Sequence, residues 1–430
     1  MRLAVRRATA LLAAVLLAAG CSESPPEASP PVPPQLAPAD GYDAGVFTFG
    51  VLVDLTGPAS EADRAALAGV QAYWDGVNSR DGIAGLYPVE LSVTHLDADA
   101  LGEWDVAALA YAGSAIDAAD VTAELPLPVV PAVATLAGDD LAWVLTRAAP
   151  VELTTLALLD RFRTSGPGAA WCVIVDGSPL GRQVAAAAYA AGAARETVPA
   201  MLDLDVGEIE VLNLDASVFD ITDAVSDRQC RYVLVEVADP RAISVLERLP
   251  PNLTVVRRST LAAGIELPGQ VELLIDPAPP WQTGRSAVMD AFAADWSSFS
   301  AAAAAEPLAQ PASPTQPGDR PLADPRVRAG WLSQLRLHLL LEQAVAAGDV
   351  SRERLVALTP HIEPVDPDRN TLPGMPRIGM DISEPIGGGP LRTLRLYGRS
   401  DVAADDLGLR QVLALDVTHL MEMLRDRLGS

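Results

Sequence analysis

The sequence predicts a two-lobed α/β protein built on parallel sheets. Short apolar runs alternate with Ala-rich stretches of helical length, which is the pattern of βαβ units. The series starts twice, at Val46–Val53 and at Trp171–Val175, and each start leads through a polar turn into a helical stretch. The chain has 430 residues, more than one hydrophobic core usually holds. Two Rossmann-like lobes are therefore expected.

The first series accounts for residues 46–164. Its opening run, Val46–Val53, is almost continuously apolar, as in a parallel strand buried on both faces. It breaks at an Asp-Leu-Thr-Gly-Pro turn before a helix begins. The predicted elements are strand 46–53, helix 61–78, strands 88–96 and 106–110, a helix from 114, strand 129–132 and helix 151–164. No helix is expected between the second and third of these strands, because few residues separate them.

The second series runs from residue 170 to the C-terminal region. A low-complexity stretch rich in Ala and Pro at 300–325 predicts a loop insertion between two helices. The predicted elements are strand 171–175, helix 182–194, strands 232–237, 253–256 and 271–275, helices 284–299 and 326–347, and strands 391–397 and 411–416.

The N-terminus has the three parts of a secretory signal. Three arginines precede residue 8, and an apolar run at 11–18 is too short to span a bilayer. The run ends in Leu-Ala-Ala-Gly-Cys, which resembles the lipobox of bacterial lipoproteins and predicts a signal peptide at 1–20 and a lipid on Cys21. The alternative is an ordinary cleaved signal that happens to contain a cysteine. No later run is long and apolar enough for a membrane helix.

A Pro-rich segment follows the cysteine, and residues 21–43 are predicted to form a lipidated tether. Proline at this density favours polyproline II and does not form a packed core. Such a tether holds a folded body away from a membrane surface. A disordered N-terminus predicts the same local behaviour.

Composition excludes several classes of function. The formal net charge of −25 disfavours binding to nucleic acid and to anionic lipid surfaces. Four His and three Cys have no metal-ligand spacing, so no metal or cofactor is expected. No nucleophile elbow or phosphate-binding loop is present, and Asp97 and Asp99 lack a partner base. An enzyme is therefore not expected.

Two cysteines remain after Cys21. Cys172 and Cys230 each lie at the start of an apolar run. Outside the cytoplasm an even pair forms a disulfide if the two strands are neighbours. Two buried free thiols are the equally weighted alternative.

Several motifs in order resemble a known family. The stretch Phe-Gly-Val-Leu-Val-Asp-Leu-Thr-Gly-Pro-Ala at 49–59 is followed by Gly-Val-Gln-Ala-Tyr at 69–73 and Val-Asn-Ser-Arg-Asp-Gly-Ile at 77–83. Residues 128–135 and 176–181 continue the series. Together they resemble the leucine/isoleucine/valine-binding type of solute-binding protein, which has the type I periplasmic-binding-protein fold and serves ABC importers. Letter-level similarity is concentrated in the first third of the chain.

The resemblance implies two lobes joined by three crossing segments, with a small ligand in the cleft between them. Open parallel sheets bind ligands beyond the carboxyl ends of their strands, which agrees with this arrangement. The implied division assigns 44–148 plus 281–347 to lobe 1, and 149–280 plus 348–430 to lobe 2.

In lobe 1 the resemblance implies ligand contacts at Thr56, Thr135, and the Gly113–Ser114 loop, where a serine and helix-terminal amides hold the ligand's carboxylate. Two of these positions also have a simpler interpretation. Thr56 is explained by a helix-entry turn, and Ser114 by a helix N-cap.

In lobe 2 the implied positions depart from the family. Leu180 stands where an aromatic residue is common, and Arg258 and Ser259 follow the strand after which an acidic residue pairs with a ligand ammonium. Because an unpaired buried charge is costly, amino-acid specificity does not carry over. Arg258 receives an anionic or carbonyl-rich ligand or is a surface arginine. Asp176 contacts the ligand or the hinge, or simply forms a turn.

The resulting expectation is a lipid-anchored protein on the extracytoplasmic face of the cell membrane. It captures an amino acid or a related small organic compound for an ABC permease or a sensor, and it performs no chemistry. The main alternative is a non-transport envelope lipoprotein that kept the fold and lost its amino-acid site. An exported hydrolase lacks an identifiable nucleophile and base.

Overall fold

The computed structural model describes most of the two predicted series. The described residues are 36–57, 59–95, 104–116, 121, 125–133, 145, 151–161, 169–197, 209–213, 218–237, 244–250, 252–258, 271–275, 287–305, 325–362, 393–399 and 409–416. They all belong to one compact unit, Leu36–Ser430. The predicted signal peptide, Cys21 and most of the tether lie outside the described residues.

The described chain is built from β-strands and α-helices. The strands are β1 Tyr42–Asp43, β2 Val46–Val53, β3 Val89–His95, β4 Ala108–Ala112, β5 Val129–Pro131, β6 Trp171–Val175, β7 Ile209–Asn213, β8 Tyr232–Glu236, β9 Thr254–Arg258, β10 Val271–Ile275, β11 Thr393–Arg399 and β12 Leu409–Asp416. The helices are α1 Ser60–Asn78, α2 Val151–Arg161, α3 Pro179–Thr197, α4 Val218–Asp227, α5 Ala287–Ala305, α6 Pro325–Ala347 and α7 Arg352–Leu358. They form a mixed α/β fold with two sheets.

The first sheet has the strand order β3-β2-β4-β5, and these four strands are parallel. The short strand β1 pairs antiparallel with the beginning of β2. β2 lies in the centre, and Phe47, Phe49, Val51 and Val53 are fully buried, as expected for a parallel strand covered by helices. The chain places its second parallel strand on one side of β2 and its third on the other.

Two glycines bring α1 and α6 into close contact over this sheet. A Cβ on Gly69 would lie 1.9 Å from the Val327 carbonyl oxygen, and one on Gly330 would lie 2.1 Å from that of Ala66. The same interface contains buried polar pairs. Tyr73 Oη lies 2.7 Å from His338 Nδ1. Because these contacts require small residues and specific partners, they fix the position of α1 on the sheet.

The second sheet has the order β12-β11-β10-β9-β8-β6-β7. Strands β6 to β10 are parallel to one another, whereas β11 and β12 add an antiparallel edge. β6 has the sequence Trp-Cys-Val-Ile-Val and is buried along its whole length. As in the first sheet, the first strand of the series lies in the interior of the sheet, and its two successors lie on opposite sides of it.

A disulfide links Cys172 of β6 to Cys230, just before β8, with a Cα–Cα distance of 5.7 Å. From the sequence alone, this disulfide and two buried free thiols were equally weighted alternatives. The bond lies in the core beneath the second sheet, beside Ile221, Val225 and Val233. It connects neighbouring parallel strands that are far apart in the chain.

The observed elements agree closely with the predicted ones, but several differ, and one difference affects the lobe boundaries. α5 continues to Ala305, so residues 300–305 of the predicted loop insertion are helical. β7 and α4 occupy residues for which no element was predicted. Residues 350–362, predicted to belong to lobe 2, pack instead on the first core through Val350, Leu355 and Ile362. Arg352 fixes this segment by donating to the Val106 carbonyl at 2.9 Å. Within the described part of the chain, no helix has the length and apolar character needed to cross a membrane.

Candidate functional site

Each sheet has one topological switch point, where the strand order reverses. In the first sheet it lies between β2 and β4, and in the second between β6 and β8. Ligands of open parallel sheets bind outside the carboxyl ends of the strands at such points. The residues that follow β2, β4 and β6 are therefore the candidate site residues, and they include Thr56, Gly113, Ser114 and Asp176.

Asp54 organises the turn that leaves β2. Its carboxylate accepts hydrogen bonds from the backbone N–H groups of Thr56 at 3.1 Å, Gly57 at 2.6 Å and Ala59 at 3.2 Å. The side chain is only 4% exposed. A buried carboxylate that accepts several backbone donors closes a rigid turn. Asp54 thereby ties Thr56, Gly57 and Ala59 together at the entrance to α1.

Thr56 and His95 meet at the outer edge of this turn. The Leu55 N–H lies 3.2 Å from His95 Nδ1, and the same ring nitrogen lies 3.3 Å from the Val53 carbonyl oxygen. Nε2 lies 3.4 Å from the Thr56 hydroxyl. Both side chains are exposed. Thr56 thus presents a polar group at the switch point, and His95, which was not predicted as a site residue, joins it from the end of β3.

Asp63 lies in the first turn of α1 and is completely buried. Its Oδ2 accepts from the Asp54 N–H at 2.8 Å. Its Oδ1 accepts from the Ser114 N–H at 3.0 Å and the Ser114 hydroxyl at 2.9 Å, with the Tyr111 hydroxyl at 3.4 Å. One carboxylate therefore ties the ends of β2 and β4 to α1.

Burial is the largest influence on the charge of this centre. It raises the pKa of Asp63, while the hydrogen bonds from Ser114 and Asp54 act in the opposite direction. Burial and the neighbouring Asp63 carboxylate also raise the pKa of Tyr111 well above its ordinary value, so Tyr111 stays a neutral hydroxyl donor. The donors around Asp63 match the acceptor-only ionised form of a carboxylate.

Gly113 allows the Asp63 carboxylate to approach the end of β4. A Cβ at this position would lie 2.2 Å from Asp63 Oδ2 and 3.2 Å from the Leu52 carbonyl oxygen. The Gly113 N–H donates to that same Leu52 carbonyl at 2.8 Å. The absence of a side chain is therefore a requirement of the site. The amide and hydroxyl of Ser114, which the family resemblance assigned to a ligand carboxylate, both donate to Asp63.

The second switch point is built more simply. Asp176 follows β6, and its Oδ1 accepts from the Ser178 N–H at 3.1 Å. Ser178 Oγ in turn accepts from the Gly181 N–H at 3.0 Å, in the first turn of α3. The half-buried Leu180 lies in the same turn. These contacts agree with the turn-forming interpretation of Asp176.

The remaining predicted positions give less information. Thr135, Ser259 and Cys21 lie outside the described residues. Arg258 is the last residue of β9 and pairs with Leu274 of β10. Among the residues that the structure describes, no cluster of His, Cys, Asp and Glu has a metal-binding arrangement.

Comparison with known proteins identifies the fold. The sequence matches no family model, and no curated protein is significantly similar to it. Solved structures nevertheless match over most of the chain. A fatty acid ABC transporter substrate-binding protein from Thermomonospora curvata matches with a TM-score of 0.63 and 14% identity, covering 90% of this chain and 96% of its own.

Two further structures agree with this result. A branched-chain amino acid ABC transporter protein from Thermus thermophilus with bound valine has a TM-score of 0.63 at 15% identity and covers 89% of this chain and 99% of its own. A solute-binding protein from R. palustris in complex with 4-hydroxybenzoate has a TM-score of 0.58 at 14% identity, covering 86% and 97%. The chain therefore has the type I periplasmic-binding-protein fold of ABC transporter substrate-binding proteins.

Proposed function

We propose that this protein is a lipid-anchored, extracytoplasmic solute-binding protein. It captures a small molecule in a cleft between two lobes and presents it to an ABC permease or a sensor. The lipid on Cys21 and the Pro-rich segment after it hold the folded body near the membrane. The protein carries out no chemistry on its solute.

The similarity of fold along nearly the whole chain carries this proposal. The three structures described above cover 86–90% of it, and their names specify a fatty acid transporter, bound valine and bound 4-hydroxybenzoate. These are all small organic molecules. The first switch point of this chain adds what such a site needs, because it combines a rigid turn, exposed polar groups at Thr56 and His95, and a partly exposed Ser114.

A specific observation favours a second candidate function. Ser114 donates through both its amide and its hydroxyl to Asp63, a side chain of the protein itself. A chain that had stopped binding solutes and now acts in envelope assembly or regulation would tolerate this arrangement. The two candidates differ in one measurable property, which is the presence of a solute that stabilises the folded protein.

A melting-temperature screen tests the proposal. The mature protein, solubilised in detergent, is heated with amino acids, amides, organic acids, aromatic acids, amines and small peptides, and unfolding is followed by tryptophan fluorescence. A solute at 100 times its dissociation constant stabilises the folded state by about 2.7 kcal/mol. For a protein of this size, this should raise the melting temperature by at least one degree, since roughly 2–4 °C accompanies each kcal/mol in domains of 150–250 residues. A flat screen with well-folded protein would support the second candidate.

The anchor is tested separately. Replacing Cys21 with Ala removes the thiol that would carry the lipid, so the protein should be recovered in the soluble extracytoplasmic fraction or remain unprocessed. Fractionation with detection by antibody gives the result, and Ser22→Ala provides a control next to the same site. Unchanged membrane attachment of Cys21→Ala would contradict the anchor.

A further inference from the structure

Four donors from two strand ends converge on one point at the first switch point. They are the N–H of Asp54 after β2, the hydroxyl of Tyr111 within β4, and the N–H and hydroxyl of Ser114 after β4. Convergent backbone and hydroxyl donors are the usual means by which proteins hold a carboxylate or another anion. This group of donors is here called the anion slot.

The anion slot is filled by the chain itself. Asp63 reaches it from the first turn of α1, where the helix dipole favours a negative charge. Gly113 leaves the space that the carboxylate occupies. Arg326, at the start of α6, contributes a nearby positive charge to this region and pairs with Glu61 at 3.1 Å. The slot is therefore a complete site for one carboxylate, and Asp63 is its occupant.

We infer that Asp63 is an internal anion that excludes carboxylate-bearing solutes from the first switch point and thereby sets the solute class of the protein. The solute is uncharged or cationic at the end that faces these strands. This solute class rests on the proposed function, whereas the occupation of the slot does not depend on it.

Two physical reasons make the exclusion strong. The donors that a solute carboxylate would need are already used by Asp63, and an anion left without them in a partly dry site is costly. A solute carboxylate would also approach two buried acidic side chains, Asp63 and Asp54, and like charges at short distance repel. An amide, amine or hydroxyl group meets neither obstacle, and the exposed Thr56 hydroxyl and His95 ring, which follow or end the neighbouring strands β2 and β3, are polar partners for it.

Chemical rescue tests the occupation of the slot. The variant Asp63→Ala leaves the donors in place around a space of carboxylate size, so its melting temperature should be well below that of the wild type. Formate should restore part of that loss, acetate less because of its methyl group, and chloride at equal ionic strength none. The full mature protein in detergent is used. In the double variant Asp63→Ala/Ser114→Ala, formate loses the contact with the Ser114 hydroxyl and should stabilise the protein less.

Matched controls separate rescue from general salt effects. Leu340→Ala removes a fully buried side chain of α6 and destabilises the fold without removing an anion. Formate should leave its melting temperature at the value measured in chloride. An equal response of Leu340→Ala and Asp63→Ala, or no response of Asp63→Ala, would overturn the inference. If Asp63→Ala does not fold, the yield of refolded protein with formate against chloride replaces the melting temperature.

Matched solute pairs test the exclusion itself. Valine is compared with valinamide, and 4-hydroxybenzoate with 4-hydroxybenzamide, each on the wild type. An uncharged or cationic solute should raise the melting temperature and a carboxylate should not. A wild-type response to a carboxylate would overturn the exclusion and leave the solute-binding proposal intact. A flat screen together with formate rescue would remove the solute-binding proposal and retain Asp63 as the occupant of the slot.

Discussion

The two switch points have the same topology but are held together differently. In both sheets an aspartate directly follows the first strand, Asp54 after β2 and Asp176 after β6. Asp54 is buried and accepts from three backbone N–H groups, whereas Asp176 is partly exposed and accepts from Ser178 in a short turn. The first site is a closed polar centre, and the second is a turn at a helix entrance.

The difference continues in the way each first strand is tied to its neighbour across the switch point. In the first sheet, Asp63 joins the ends of β2 and β4 by hydrogen bonds. In the second sheet, a covalent bond joins Cys172 of β6 to Cys230 before β8. A hydrogen-bonded carboxylate adds charge and donor selectivity at the strand ends, whereas a disulfide adds stability inside the core. Solute discrimination is therefore expected mainly from the first sheet.

The largest effect is expected when the disulfide is removed. The variant Cys172→Ala/Cys230→Ala should lose about 2–4 kcal/mol of unfolding free energy, because the bond closes a long loop in the unfolded chain. The two cysteines are 58 residues apart. Urea unfolding of the oxidised wild type, the reduced wild type and the double variant provides the measurement.

Hydrogen exchange then tests whether the loss is local to one sheet. Amides of β6 and β8 should lose protection in the double variant, while those of β2 and β4 keep theirs if the two sheets open independently. The double variant should also be insensitive to reducing agent. Equal stability of the oxidised and reduced wild type would show that the disulfide contributes nothing to stability. The contrast between a hydrogen-bonded first sheet and a covalently linked second sheet would then not hold.

The second-largest loss of unfolding free energy is expected from a Gly→Ala substitution at the first switch point, compared with one at the second. Gly113→Ala places a Cβ 2.2 Å from the Asp63 carboxylate in the first sheet, whereas a Cβ on Gly177, after β6, meets no atom within 4 Å. Overpacking of this kind costs about 1–3 kcal/mol. Gly177→Ala should stay within about 0.5 kcal/mol of the wild type, as open surface substitutions do.

Urea unfolding of the two glycine variants compares the switch points directly. They make the same chemical change beside the first strand of each sheet, so propensity effects are similar. Similar losses in both would mean that the first switch point is as open as the second. A loss confined to Gly113→Ala would support a closed centre around Asp63.

Most of the fold was predictable because its strands and helices correspond to local patterns of apolar and polar residues. Strands β2, β6 and β10, which are rich in apolar residues, were predicted with their observed bounds. β7, with the sequence Ile-Glu-Val-Leu-Asn, lies at the edge of its sheet and follows a stretch in which apolar and acidic residues alternate. It was missed because no continuous apolar run marks it. Residues 350–362 were assigned to the wrong core because a helix of 7 residues does not reveal which sheet it covers.

The site was predictable only in part. The motif around Thr56 and the Gly113–Ser114 loop indicated the strand ends at which the candidate site lies, since loops after parallel strands meet at one edge. Asp63 gave no signal of its own, because an acidic residue in the first turn of a helix is ordinary. Its partner Ser114 lies 51 residues away in the chain. The same holds for His95, which is 40 residues from Leu55. Only tertiary structure shows these pairs.

The smallest effect is a pH dependence that belongs to Asp63 alone. Because burial raises its pKa above the ordinary 3.8, the folded protein holds this proton more tightly than the unfolded chain. Stability from this group is therefore present below pH 3.8 and is lost as the pH rises to the folded pKa. One pH unit between the two pKa values corresponds to about 1.4 kcal/mol.

Asp63→Asn does not titrate, so the unfolding free energy of the wild type minus that of Asp63→Asn should fall across this window and be constant above it. Urea unfolding of both proteins from acidic to neutral pH measures the difference. A difference that rises with pH would mean that the four hydrogen bonds outweigh burial, and Asp63 would then be a still stronger occupant of the anion slot.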